Sequence, residues 1–470
     1  MANVNLTIDG KALSVPAGTT ILEAARTNGI HIPTLCYLKE LDPRASCRMC
    51  VVEVEGARTF QHACAARVRE GMVVHTDTEA VRASRKLTLE LLLSNHAVDC
   101  HHCLRIGSSK CDDLDPKFCE MCFYCDCVKD GFCDLQALAR EYKVDVLPFA
   151  QKHNTLPIDK SSVIVRNPNK CVKCKRCVDV CGKVQTVHNL AASGRGCEVV
   201  IGPAYGKAMS DSDCIGCGRC VEVCPTGAIF AQEHKDELVY YAHRDGTKTA
   251  AMISADLLPE LERVLKRESS SVRLNEIAGA LKKIGVDAVY DTAELEDAAR
   301  SQAETMLDEC LPEGKPLILT NSFAAKAFLE KAFPDKKKSF LFYDSALAVF
   351  GRAAGDFDKR FAFGAVGGDA MECEKTDCVD IAVNPRELAR IMIRTGSEPN
   401  PGRTAACKCL GLPKASGKYG TLLDKAQWNM KAEPEFFEQN GLKCVICHNL
   451  GQARAILSGD ATFDVIRVIA

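Results

Sequence analysis

The sequence predicts a multidomain chain of mixed α+β and α/β class. Three observations predict it. Residues 1–77 alternate apolar and polar side chains as short strands do. The stretch that follows, to about residue 235, is crowded with cysteine. From about residue 248 cysteine thins out and strand-like segments alternate with helix-like ones. At 470 residues the chain is too long for one ordinary core and suggests about three or four domains. The expected regions are 1–77, 78–147, 160–235 and 248–470.

Composition removes several function classes. Sixty Lys+Arg stand against 62 Asp+Glu, without the basic excess that nucleic acid or an anionic membrane requires. Aromatics are 6%, too few for base-stacking platforms. No apolar run approaches the roughly 18 residues of a membrane span, and the sequence opens on a strand pattern rather than a signal peptide. The expectation is a soluble, cytoplasmic protein. Its 28 cysteines would mean disulfides in a small secreted chain. Here, with no export signal, they point to metal ligation in a reducing and anaerobic cell.

In the first region Val4, Leu6 and Ile8 alternate, Asp9-Gly10 marks a hairpin, and Leu13 and Val15 alternate again. Thr20 and Glu23 form a capping box that opens a short helix ending at Asn28-Gly29. Then come Cys36, Cys47, Cys50 and Cys64. Thr78 to Asn95 reads as a helix with Val81, Leu87, Leu91 and Leu92 roughly on one face, followed by His96, Cys100 and Cys103. Further on lie Cys111, Cys119, Cys122, Cys125, Cys127 and Cys133, the last in Cys133-Asp134-Leu135-Gln136.

The runs CVKCKRCVDVC from Cys171 and CIGCGRCVEVC from Cys214 both read C-x2-C-x2-C-x3-C. This is the ligand pattern of two cubane 4Fe–4S clusters, in which the fourth cysteine of each run ligates the other cluster. Iron in such clusters takes soft thiolate donors. One cluster is assigned to Cys171, Cys174, Cys177 and Cys224, the other to Cys214, Cys217, Cys220 and Cys181. Paired zinc knuckles are the competing reading, disfavoured by two complete runs with Pro225 after the last cysteine. The spacer 182–213 has strand character near Glu198 to Ile201. Lone Cys197 and Cys310 read as structural thiols.

In the last region TAAMI, DAVYD, PLILT, Val379–Val383, LKCVIC and FDVIRVI read as strands. Leu274–Ile284, SFAAKAFLEKAF and Leu450–Leu457 read as helices. Asn384 and Pro385 start a further helix that Gly396 ends. The glycine-rich FGAVGGDA lacks a dinucleotide-site context and reads as a loop.

These motifs resemble two related families, the iron-only hydrogenases and the large iron–sulfur subunit of complex I. The hairpin, helix and spacing of Cys36, Cys47, Cys50 and Cys64 resemble their β-grasp 2Fe–2S ferredoxin domain, which implies a 2Fe–2S cluster on those four. His96-x3-Cys100-x2-Cys103 resembles their His-ligated 4Fe–4S motif, whose last cysteine belongs to a CxLQ segment. Here an insertion separates the two parts, and two readings stay open. In the first, preferred because His96 anchors the start and Cys133 the end, His96, Cys100, Cys103 and Cys133 hold the family cluster. Cys111, Cys119, Cys122 and Cys125 then suffice for an extra cluster. In the second, Cys127-x5-Cys133 keeps the family's x5 spacing and the roles are shuffled. A zinc loop is the bland alternative for the insertion. His101 and His102 read as solvent-facing.

The segments EIAGALKKIGVDAVYDTAELED, DIAVNPRELARIM and HNLGQARAIL are similar, in order, to the catalytic domain of the iron-only hydrogenases. The thiols that hold the hydrogen-activating cluster there are missing. Its TSCCP motif corresponds to Thr320-Asn321-Ser322-Phe323-Ala324, and MPCxxK is only echoed at Met371-Glu372-Cys373. Hydrogen activation is therefore not expected. Cys373, Cys378, Cys407, Cys409, Cys444 and Cys447, with His448, form a new set; Cys373, Cys378, Cys407 and Cys409 are the candidate ligands of a further cluster or of zinc. No catalytic residue and no flavin or nicotinamide site is found in the chain.

The resemblance implies an electron-relay subunit of a flavin-based, electron-bifurcating NAD(P)H:ferredoxin oxidoreductase, transhydrogenase-like or linked to formate oxidation. The partners it implies are a flavin-containing NAD(P)H-oxidising subunit, a small thioredoxin-like 2Fe–2S subunit and ferredoxin, with no nucleic acid and no membrane. The alternatives are a hydrogenase with an unusual cluster and a zinc-stabilised docking subunit.

Overall fold

A computed structural model of the chain describes residues 2–97, 127–129, 133–144, 148–149, 156–244, 246–265, 267–363, 372, 376–424, 430, 432–459 and 462–469. The architecture is mixed α/β and multidomain. Among the described residues no helix is long and apolar enough to cross a membrane.

The front is a five-stranded mixed sheet in the order β2-β1-β5-β3-β4. Strands β1 (Asn3–Ile8) and β2 (Lys11–Pro16) form the expected hairpin, with Asp9 and Gly10 both left-handed at the turn. Helix α1 (Ile21–Thr27) starts where Thr20 accepts from the Glu23 amide. It buries Ile21, Leu22, Ala24 and Ala25 on the sheet. Strands β3 (Val51–Val54), β4 (Gln61–His62) and β5 (Met72–His75) complete it, and β5 lies parallel to β1.

Helix α2 (Glu79–Leu93) is capped by Thr78 and buries Val81, Arg85, Leu89 and Leu93. This corrects the expected apolar face, because Leu87 and Leu91 are exposed. The i, i+4 stripe is completed by an arginine that the search for apolar periodicity passed over. Arg85 donates to the Tyr142 hydroxyl at 2.9 Å and to the Val51 carbonyl at 2.7 Å. These two acceptors offset much of the cost of burial, although the buried Nε has no hydrogen-bond partner among the described residues. Helix α3 (Asp134–Glu141) packs on α2.

The central unit has two short hairpins, β6 (Ile164–Arg166) with β9 (Ile229–Ala231) and β7 (Leu190–Ser193) with β8 (Val200–Pro203). The strand expected near Glu198 begins only at Val200. Helices α4 (Arg176–Asp179) and α5 (Arg219–Val223) each carry the middle of one cysteine run.

The C-terminal region has two sheets. The first, β11-β10-β14-β15, is wholly parallel and is built from β10 (Thr249–Ile253), β11 (Ala288–Asp291), β14 (Lys359–Phe363) and β15 (Ile381–Val383). Helices α6 (Lys235–Ala242), α7 (Leu258–Val264), α8 (Leu274–Ile284) and α12 (Pro385–Arg394) surround one of its faces. The second sheet is β13-β12-β18-β17-β16, with β12 (Leu317–Thr320), β13 (Phe340–Phe342), β16 (Glu435–Gln439), β17 (Leu442–Cys447) and β18 (Val465–Val468). Only its edge strand β16 is antiparallel. Helices α9 (Thr292–Cys310) and α11 (Ala346–Ala353) fill the core between the sheets. Helices α10 (Phe323–Ala332) and α13 (Leu450–Ser458) cover the outer face of the second sheet. Sheets buried on both faces need the near-continuous apolar strands seen here. Asn384 caps α12 in a full capping box with Glu387, and Pro385 occupies its first turn, as expected.

Candidate metal centres

The two cysteine runs fold alike. In CVKCK the residues Lys173 and Lys175 are left-handed (φ 56° and 64°); in CIGCG the matching Gly216 and Gly218 are too (φ 69° and 74°). That twist turns a backbone amide onto a sulfur. The Lys173 amide donates to Cys171 Sγ and the Gly216 amide to Cys214 Sγ, both at 3.4 Å. Such amides stabilise a thiolate. After the third cysteine the paths diverge. The first run continues into a π-helical turn, Val180–Val184, which carries Cys181. The second stops at Cys224, before Pro225.

This divergence places the fourth cysteines. Cys171, Cys174, Cys177 and Cys224 wall one small cavity, with Arg166, Lys175 and Thr226 among the other lining residues. Cys214, Cys217, Cys220 and Cys181 wall a second, with Gln185, Asn189 and Arg219. Each cavity thus holds three thiols of one run and the last thiol of the other. Burial pushes Cys171 up to about 11, and Cys174 and Cys214 up to about 12. It raises Cys177 and Cys220 well above the ordinary thiol value, and moves Cys181 and Cys217 in the same direction. Buried thiols of this kind give up protons when iron binds, which couples cluster loading to folding. Among the described residues no group of three or more His, Cys, Asp or Glu side chains stands placed to hold a metal ion. Four sulfurs set around a cavity suit a multi-iron body better than one zinc.

At the front, Cys36, Cys50 and Cys64 are buried and Cys47 is half-buried. They form two touching pairs. A hydrogen bond from the Cys47 side chain lowers Cys36 to about 5, and the same contact raises Cys47. Cys64 likewise lowers Cys50 and is itself raised. Left-handed Arg48 (φ 57°) folds the Cys47-x2-Cys50 turn, and the Ala63 amide donates to the Cys50 carbonyl at 3.0 Å. All four thiols influence one another, as ligands of one small cluster would.

His96 is buried just past the end of α2. Cys133 is buried at the start of α3, and desolvation pushes it up to about 12. The structure brings Cys127 to it: the two thiols interact, and both are buried. A Cβ on Gly227 would lie 3.1 Å from Cys127 Sγ, and Arg386 donates to the Cys127 carbonyl at 2.9 Å. Cys100, Cys103, Cys111, Cys119, Cys122 and Cys125 lie outside the described residues, as does Cys373.

Of the C-terminal candidates, the described Cys378 is not brought together with Cys407 and Cys409. Lys408 bridges Tyr290 on edge strand β11, so Cys407 and Cys409 lie beside that edge. Cys378 leads into β15, the opposite edge of the same sheet. Three strand spacings, about 14 Å, separate the edges. Cys407 packs on one face's core and Cys378 on the other's. Cys444 and Cys447 point to opposite faces of the second sheet, into different cores. Burial pushes them up to about 11 and about 12, as for thiols that serve as small apolar residues. His448 instead bonds Glu435 at 2.9 Å.

A polar cavity of about 450 Å³ opens at the carboxyl ends of β12 and β13. Thr320, Asn321, Ser322 and Phe323 line it, as do Glu372 and Cys378. Phe323 also packs against the core around Cys177, Cys220 and Cys224.

Residues 1–79 match the 2Fe-2S iron-sulfur cluster binding domain and residues 210–230 the 4Fe-4S binding domain. Residues 247–362 match the C-terminal domain of the iron only hydrogenase large subunit. The chain is an iron–sulfur protein with a hydrogenase-like C-terminal region. Its relatives include the NADP-reducing hydrogenase subunit HndD of Solidesulfovibrio fructosivorans, 36% identical over 298 residues, covering 62% of this chain and 47% of that protein. The mitochondrial NADH-ubiquinone oxidoreductase 78 kDa subunit of Candida albicans is 32% identical over 205 residues, covering 43% of this chain and 25% of that protein. The NADPH-Fe(3+) oxidoreductase subunit alpha of Geobacter sulfurreducens is 34% identical over 232 residues, covering 49% and 24%. The chain thus spans less than half the length of these relatives. All three are subunits of oxidoreductases.

Proposed function

We propose that this chain relays electrons through protein-held iron–sulfur clusters within an NAD(P)H-linked oxidoreductase complex and does not itself activate hydrogen. The observation that carries the reading is the pair of cavities, each walled by the crossed set of four thiols. On this reading Cys171, Cys174, Cys177 and Cys224 hold one 4Fe–4S cluster, and Cys214, Cys217, Cys220 and Cys181 the other. Cys36, Cys47, Cys50 and Cys64 hold the 2Fe–2S cluster. His96, Cys100, Cys103 and Cys133 hold a third 4Fe–4S cluster, and Cys111, Cys119, Cys122 and Cys125 an extra one. These clusters supply one-electron transfer. The protein's part is to fix ligand type, amide donors and burial, which set each potential.

The finer reading is a cytoplasmic, flavin-based bifurcating complex, transhydrogenase-like or linked to formate oxidation. The partners are a flavin-bearing NAD(P)H-oxidising subunit, a thioredoxin-like 2Fe–2S subunit and ferredoxin. The replacement of two thiols by Ser322 and Phe323 beside the polar cavity supports the loss of hydrogen activation. The test is purification of the native complex, with metal analysis, electron paramagnetic resonance (EPR) and infrared spectroscopy. Several cluster signals, a flavoprotein partner and no carbonyl or cyanide bands are expected. Such bands, with hydrogen evolution from reduced dye, would overturn the reading, and a flavin-free partner would remove bifurcation.

A further inference from the structure

We propose that Arg44 and Asp179 are a positioning pair that holds the 2Fe–2S ligand loop against the two-cubane unit and makes this contact the entry route for electrons from the N-terminal domain. The inference rests on the cluster assignments proposed above. Arg44 lies in the loop between Cys36 and Cys47, and Asp179 lies between Cys177 and Cys181. The guanidinium forks onto the carboxylate: Nη2 donates to Oδ1 at 2.5 Å and Nε donates to Oδ2. A planar two-bond fork fixes orientation as well as distance. The Asp179 side chain is 7% exposed, so the carboxylate has been withdrawn from water for this partner, 135 residues away in sequence. Lys183 supports the contact, standing 3.8 Å from Asp179 and 3.5 Å from Asp42 of the same loop.

The matching position of the other run serves as an internal control. Glu222 stands between Cys220 and Cys224 as Asp179 stands between Cys177 and Cys181. It is satisfied locally by Arg219, three residues earlier, and its side chain is 37% exposed. Local charge balance is therefore available to an acid in this motif. Arg176, the counterpart of Arg219, pairs instead with Asp134 at 3.4 Å, which leaves Asp179 to reach across to the N-terminal domain.

Apolar packing closes the same seam. Leu35 and Met49 of the 2Fe–2S loops share one core with Cys133, and Cys47 and Val172 pack against it. Val172 follows Cys171 directly. Apolar side chains therefore line the seam between the 2Fe–2S ligands and the Cys171 set. The step is one electron: the reduced 2Fe–2S cluster is oxidised and the cubane on the Cys171 set is reduced, with no bond or proton changed. A one-electron reductant such as photoreduced deazaflavin supplies it.

The test uses the full chain with its clusters, comparing Asp179→Asn, Arg44→Gln and the exchange of Arg44→Asp with Asp179→Arg. After flash photoreduction, rapid-freeze EPR follows the electron from the 2Fe–2S to the cubane signal, and spin coupling between the reduced clusters reports their separation. At unchanged iron content we expect each single variant to slow transfer about tenfold, the scale of outer-shell effects on cluster proteins, to weaken the coupling, and the exchange to recover both. Wild-type transfer and coupling in iron-replete single variants would overturn the proposal. If a single variant fails to retain iron, Arg44→Lys is read instead, since it keeps the charge and gives up the fork. Slower transfer there supports the pair as a positioning device, and wild-type transfer overturns it. A missing 2Fe–2S or cubane signal in the unaltered chain would overturn the cluster assignments instead, so the two failures are distinct.

Discussion

The runs Cys171–Cys181 and Cys214–Cys224 place their cysteines, an arginine and an acid at matching positions, yet their surroundings differ. The first run faces the N-terminal domain: Arg176 and Asp179 both pair outside the motif, and Val172 packs against the core around Leu35 and Met49. The second keeps its charges to itself through Arg219 and Glu222, and Ile215 and Cys217 pack instead with α10 and α13 of the C-terminal region. One ligand motif, used twice, has become an inlet side and a covered side. Phe323, at the start of α10, packs against the core shared by cysteines of both runs.

The largest effect that can break this comparison is the removal of a crossing thiol. Cys181→Ala is expected to abolish the cubane of the second run, not of its own, with the loss of about four iron atoms per chain. Cys224→Ala should do the reverse. Run-specific EPR and iron counting check it, and loss of the signal of the thiol's own run in both variants would refute the crossed assignment.

The acids come next. Asp179→Asn removes one partner of a mostly buried pair and should cost about 2–3 kcal/mol of stability toward denaturant. Glu222→Gln, on the exposed pair, should stay within about 0.5 kcal/mol. Equal costs would mean that the two acids do the same work.

The backbone supplies a smaller contrast. Lys175 and Gly218 hold the same left-handed turn, which costs an L-residue roughly 1–2 kcal/mol. Gly218→Ala should therefore destabilise by about 1 kcal/mol, and Lys175→Gly should gain about 0.5–1 kcal/mol. The latter should also lower the potential of the first cubane, because Lys175 lines that cavity. A redox titration beside the denaturation curve separates the two effects.

Much of this was legible in the sequence because cysteine spacing is a local signal. Two residues between thiols suffice to converge three sulfurs, and the crossing follows from the motif. The hairpin at Asp9-Gly10, the capping box at Asn384 and most strands of the C-terminal region are local too. What escaped depends on tertiary arrangement. Arg85 completes the buried stripe of α2 only because Tyr142 and the Val51 carbonyl stand ready to receive it. Cys378, Cys407 and Cys409 looked like one site until strand order put them at opposite edges of a sheet. The Arg44–Asp179 pair had a trace, since aligning the two runs sets Asp179 against Glu222, but its partner lies in another domain.

The smallest expected effect concerns the C-terminal cysteines, which on this comparison are dispersed thiols rather than a third ligand set. The segment carrying Cys407 and Cys409 is tied down by Glu294, whose carboxylate accepts from the Leu410 amide at 2.9 Å and the Leu412 amide at 3.1 Å. The Leu410 amide is the main cause holding that carboxyl below its ordinary value. A depressed carboxylate contributes its stability above the unfolded-state value, about 4.3, and loses it as pH falls through the lower folded-state value. Between pH 7 and about 5 the segment should be indifferent to pH; below about 4 the Leu410 and Leu412 amides should exchange hydrogen faster. Glu294→Gln should already show that faster exchange at pH 7, with quicker alkylation of half-buried Cys407 and an unchanged iron count. A fall in iron on the same substitution would mean that this segment does hold metal, and the contrast between converging and dispersed cysteines would have to be redrawn.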